Sequence, residues 1–194
     1  MSAKNTENLV TYTVSQVAEK LHVPVRTIQR WCELEVLLPE SGTRAGGKGK
    51  HRRLNHQELQ IAAVLAAMSE KFVTTHSFKV IAGKLRRRFF QPESKWVADE
   101  PFVDAHRRAL FCEDERTPWL LLGFRIDEQG QEEYEIGVVN RPAQTTFAPQ
   151  EGGGGNATIQ GRPLADFKTV ELFNLKKILT PVLGEQESRQ ADHE

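Results

Sequence analysis

Apolar residues recur at helical spacing from the start of the chain. Val14, Val17, Ala18 and Leu21 fall three, one and three apart. That rhythm predicts a helix from Tyr12 with Thr13 or Ser15 as its cap. His22-Val23-Pro24 breaks the rhythm, and Pro24 suits the first position of a new helix, where a backbone N–H would lack a partner anyway. The second helix is expected from Pro24 to Leu34. Its sides divide: Val25, Ile28 and Cys32 on one, and Arg26, Gln29, Arg30 and Glu33 on the other. Two short helices joined by a tight turn make a helix-turn-helix.

The pattern then lapses. Residues 41–53, SGTRAGGKGKHRR, hold four glycines, five Lys or Arg and no acid. This composition predicts two extended arms around a flexible tip, a basic wing. Asn55 and Glu58 have the spacing of a capping box. Ile61, Leu65, Met68 and Phe72 continue at helical spacing, and VTTHS (73–77) interrupts them. Phe78, Ile81, Leu85 and Phe89 mark a further helix carrying Lys79, Lys84, Arg86, Arg87 and Arg88, which Pro92 ends.

The second half has another rhythm. DEPFVDAHRRALF (99–111) predicts a short helix with Asp99 as cap and Pro101 near its start. PWLLLGFRID (118–127) and YEIGVVN (134–140) read as strands joined by a hairpin. QTTFAP (144–149) and ATIQGR (157–162) are candidate strands flanking an EGGGGN loop. VELFNLKKILTPVL (170–183) reads as a closing amphipathic helix. The expected architecture is α+β: an all-α winged helix-turn-helix domain over residues 11–91, then a small α+β domain over 92–184. Loose ends are expected at 1–10 and 185–194.

Charge sharpens this division. The 194-residue chain is neutral overall, but residues 1–91 hold 15 Lys and Arg against 7 Asp and Glu, and residues 92–194 hold 11 against 19. A net of +8 in the first half suits a polyanion, because cations that neutralise phosphates release condensed counterions. In a major groove, Arg matches guanine O6 and N7, and Gln matches adenine. Arg26, Gln29 and Arg30 are therefore candidate base readers. Lys48, Lys50, His51, Arg52 and Arg53 are candidate phosphate contacts. Tyr12, Thr13 and Thr27 offer hydroxyls, though Tyr12 serves equally as packing. Trp31 is expected in the core, and Cys32 as a buried thiol. Arg86, Arg87 and Arg88 suit flanking DNA or the acidic half equally.

Other chemistry is thin. Two cysteines about eighty residues apart form neither a disulfide framework nor a CxxC site, which fits a reducing cytoplasm. Cys112 sits beside Glu113, Asp114 and Glu115, which disfavour its thiolate. The histidines form no zinc motif, and EGGGGNAT lacks the Gly-Lys-Ser/Thr ending of a phosphate loop. No nucleophile–base pairing suggests catalysis. Thus no enzyme, metal or cofactor is expected. No apolar run is long enough for a membrane span.

Tyr12-Thr13-Val14, then Val23, Thr27, Ile28 and Trp31, a Gly-rich wing and His51-Arg52-Arg53-Leu54 form an ordered set over residues 11–90. In this the segment resembles the DNA-binding domain of MerR-family transcription regulators. The resemblance implies double-stranded DNA as partner, with Arg26, Gln29 and Arg30 facing the major groove and Arg52 and Arg53 on the adjoining backbone. Related excisionases share the pattern, so an architectural role in recombination or plasmid maintenance stands as a second reading. The family's long dimerising helix has no counterpart after Pro92. A homodimer would still suit paired half-sites. The second half is left to oligomerisation or to binding a small-molecule effector.

Overall fold

A computed structural model describes residues 10–41, 51–69, 75–90, 105–109, 116–142, 158–159, 162–163 and 166–183. Strand β1 (Thr11–Thr13) runs directly into helix α1 (Val14–Lys20). The helix therefore starts two residues later than its periodicity suggested. Tyr12 is strand because β1 pairs antiparallel with β2 (Arg53–Asn55), with Tyr12 opposite Leu54 and Thr13 opposite Arg53. Of the two candidate caps, Thr13 serves. Its hydroxyl accepts from the Gln16 N–H at 3.3 Å, and Gln16 Oε1 accepts from the Thr13 N–H at 2.8 Å. Both bonds satisfy donors that a helix start leaves open.

Helix α2 covers Val25–Glu33, with Pro24 in the cap position. α1 and α2 end alike. After α1, the His22 N–H reaches Glu19 O at 3.2 Å and the Val23 N–H reaches Ala18 O at 3.0 Å. After α2, Glu35 N–H reaches Cys32 O at 3.3 Å and Val36 N–H reaches Trp31 O at 2.8 Å. These are Schellman closures, which need one left-handed residue and an apolar residue after it. Val23 and Val36 supply the apolar contact, packed against or within the core. The left-handed positions are His22 (φ 53°) and Glu35 (φ 57°), where glycine is usual. A side chain there costs roughly 1–2 kcal/mol, partly offset by the extra freedom glycine gives the unfolded chain. His22→Gly should raise stability by about 0.5–1 kcal/mol on that balance. Thermal unfolding of the full chain would read it as a higher Tm, and an unchanged or lower Tm would refute the strain.

Helix α3 (His56–Ser69) is capped by Asn55, whose Oδ1 accepts from the Glu58 N–H at 2.9 Å. Glu58 does not complete the capping box. Its carboxylate turns inward to Arg86, as described below. Leu59, Gln60, Ile61, Ala62, Ala63, Val64 and Leu65 are consecutively buried, so α3 is covered on every side. Helix α4 (Thr75–Leu85) buries Phe78, Ile81 and Leu85 at the expected spacing, and a π turn (Arg86–Phe90) extends it and buries Phe89.

Residues 105–109 form helix α5. Strands β3 (Arg116–Ile126) and β4 (Glu132–Pro142) make the expected hairpin. Asp127 Oδ1 accepts from the Gln129 and Gln131 N–H groups at 2.9 and 2.7 Å, and Gly130 takes φ 78°. A positive φ at that point lets the turn rejoin the strand twist. Short β5 (Thr158–Ile159) and β6 (Arg162–Pro163) pair antiparallel, so the ATIQGR stretch, expected as one strand, contributes to two. β7 (Thr169–Asn174) joins β3, giving the order β4-β3-β7, and helix α6 (Leu175–Leu183) follows. The helix expected over 170–183 thus begins only at Leu175, and the five residues before it are strand. Asn174 marks the change, its Oδ1 accepting from the Lys177 N–H at 2.9 Å.

The chain tails, Phe72, Pro92, Asp99, Pro101, Cys112, QTTFAP and the EGGGGN loop lie outside the described residues. No described helix is long and apolar enough to cross a membrane.

The two halves share their interior. One buried cluster includes Ile28, Leu65 and Ile81 of the first half and Leu120, Ile136, Phe173 and Leu179 of the second. α3 lies against α6, and α4 lies against β4. Lys84 Nζ meets Glu135 at 2.8 Å with both side chains largely buried. His106 of α5 stacks on Phe89 at 5.0 Å, meets Phe90 edge-on and bonds Gln60 at 2.6 Å. Burial drives the His106 pKa down to about 4, with a smaller push from His56. The imidazole is therefore neutral near pH 7 and packs as a polar core residue.

Candidate nucleic-acid interface

The site begins with α2. Ile28, Trp31 and Cys32 are buried, while Arg26, Gln29, Arg30 and Glu33 are exposed. Trp31 meets Phe78 of α4 edge-to-face at 5.6 Å, so it anchors the helix in the core and offers no platform for a base. Burial pushes the Cys32 thiol up to about 11 against the opposing pull of Arg52, with Glu58 and Glu33 adding to the rise. A thiol so held is inert at neutral pH.

One assignment changes. Val25, expected on the packed side, is 42% exposed. At 100° per residue it falls between the two faces, next to Gln29. The exposed face thus runs from Val25 and Gln29 on one margin, through Arg26 and Arg30, to half-buried Thr27 on the other. Arg26 has no ion-pair or hydrogen-bond partner among the described residues. Arg30 lies 3.7 Å from Glu33 with both side chains at least half exposed, a loose tether worth little.

The β1–β2 ladder brings Arg52 and Arg53 to the neighbourhood of this helix. Arg53 stands opposite Thr13 and donates to Thr11 Oγ1 at 3.1 Å. Arg52 reaches across to the Gln29 carbonyl at 3.4 Å. Arg52 therefore ties the β1–β2 ladder to α2, while Arg53 ties the two strands of the ladder to each other. His51 is exposed beside them, whereas Lys48 and Lys50 lie outside the described residues. The Thr13 hydroxyl is occupied by its cap bonds. Tyr12 is packing: it is buried, with Lys20 5.7 Å above its ring and His56 6.3 Å away. Thr11 escaped the sequence reading because nothing local marks it, and only its distant strand partner places it beside Arg53.

The arginines after α4 resolve separately. Arg86 Nε and one terminal nitrogen bond the two Glu58 oxygens at 2.6 and 2.7 Å, and that nitrogen also donates to Val36 O at 2.6 Å. Arg86 is thus committed to the first half's own interior, neither to DNA nor to the acidic half. Arg87 is exposed and Arg88 half-buried. Lys84 reaches the second half, where it pairs with Glu135.

A short helix packed on a partner, its outer face cationic, with a two-stranded ladder carrying arginines to its side, defines a helix-turn-helix DNA-binding domain. Residues 12–82 match the MerR HTH family regulatory protein model. This segment is a MerR-type domain, that of a DNA-binding regulator of transcription. No curated protein matches the chain.

Proposed function

We propose that the protein binds duplex DNA with sequence preference, laying α2 in the major groove and bracing the adjoining strand with the wing. The exposed run Arg26, Gln29 and Arg30 carries this reading, since these side chains stand together on the face opposite the core. Arg26 and Arg30 supply paired donors for guanine, and Gln29 the matching donor and acceptor for adenine. Arg52, Arg53, His51, Lys48 and Lys50 contact phosphates, and Thr27 adds a hydroxyl at the helix margin. Thr13 contributes by fixing the start of α1. The second half holds α3 and α4 in place from the side of the shared core.

Base reading and charge attraction separate in one experiment. Arg26→Ala should lose about 10- to 100-fold in affinity for a duplex selected by the native chain, the scale of one bidentate base contact. On random duplex of equal length the loss should be severalfold. Equal losses on both duplexes, measured by fluorescence anisotropy, would remove Arg26 from the base readers.

A further inference from the structure

Val25 is the one apolar side chain on the exposed margin of α2. Exposure alone means little, because single exposed aliphatics are common on protein surfaces. Position gives it meaning. Val25 is the first residue of α2, and the first turn of a groove-inserted helix is the part that meets base edges. It is one helical turn from Gln29 and adjacent to Arg26, so it borders two of the proposed base readers. Pro24 makes no side-chain cap bond, so no capping side chain is drawn across this end of the helix. Every other long side chain on this face is a hydrogen-bonding or charged group. The major groove presents a single apolar group, the thymine 5-methyl.

Resting on the proposed DNA reading, we infer that Val25 determines specificity by packing on the 5-methyl group of one thymine beside the bases read by Arg26 and Gln29. Val25 and Gln29 together then distinguish a T·A from an A·T pair, which charge alone cannot do. The same contact accepts 5-methylcytosine, whose methyl occupies the equivalent place in the groove.

The probe is a duplex selected from random sequence by the full-length chain, remade with each thymine replaced in turn by deoxyuridine. This removes the methyl and leaves every hydrogen-bonding group. One position should weaken binding by about three- to fivefold, as losing one buried methyl group implies. Val25→Ala should weaken the thymine duplex by a similar factor and abolish the difference between thymine and deoxyuridine at that position. Because Val25 is outside the core, its alanine variant should keep the native unfolding temperature. Selected binding with no methyl-sensitive thymine, or a methyl effect that persists in Val25→Ala, overturns the inference and leaves the DNA reading intact. Failure of the native chain to select any duplex overturns both.

Discussion

Residues 1–91 expressed alone should fail to form a folded DNA-binding domain. The reason is the position of α3. Its consecutive buried residues face both the helix-turn-helix and the second half, and α6 lies along it. Removing the second half exposes that side and breaks the Lys84–Glu135 and Gln60–His106 contacts. Each fully buried aliphatic side chain contributes about 1.5–3 kcal/mol. Exposing a few of them therefore consumes a net stability of roughly 5–15 kcal/mol, the whole reserve of a typical domain. The truncated chain should show no cooperative thermal transition by circular dichroism, or associate through the bared face. A sharp transition near that of the full chain would show that the shared core is dispensable.

The second large effect concerns Glu58. Its carboxylate accepts two bonds from Arg86 and one from the Leu38 N–H at 2.9 Å, and the two side chains are 7% and 16% exposed. Breaking such a pair strands a buried guanidinium, at a cost of about 3–5 kcal/mol. Glu58→Ala should lower the full chain's unfolding free energy by that amount in urea. Replacing both partners with apolar residues, Glu58→Leu with Arg86→Met, should cost less than the single change. The exposed pair Lys79–Glu35, at 57% and 67%, is the contrast: losing it should cost less than about 1 kcal/mol. If Glu58→Ala behaved like Glu35→Ala, the clamp would carry no stability. The clamp also bears on the proposed function, since Arg86 and Glu58 hold the Val36 and Leu38 backbone just past α2 and so fix that helix from its C-terminal end.

The local parts of this arrangement were legible in the sequence. Helical spacing placed Ile28 and Cys32 inward and Arg26, Gln29 and Arg30 outward because a single face settles those positions. Asn55 and the β3–β4 hairpin followed from cap and turn chemistry. What escaped depends on partners far along the chain. β1 is three residues long, too short for any period, and exists because Leu54 and Arg53 return beside it. Glu58 had capping-box spacing, but Arg86, 28 positions on, offers its carboxylate a stronger bond. Residues 170–183 carry apolar groups at spacings that suit a helix, yet the first five pair with β3 and put Phe173 and Leu172 on opposite faces. Val25 failed for a different reason: it lies at the edge of both faces, where periodicity alone does not decide.

The proposed function rests on duplex DNA binding by the cationic face of α2 and the neighbouring Arg52 and Arg53. Its most direct test is binding of the intact chain to a random pool of double-stranded oligonucleotides, from low to physiological salt, with the bound molecules sequenced. Binding should be tight at low ionic strength, should weaken with salt at a slope near −0.9 per phosphate contact, and should enrich one sequence. No affinity for any duplex at low ionic strength would contradict it.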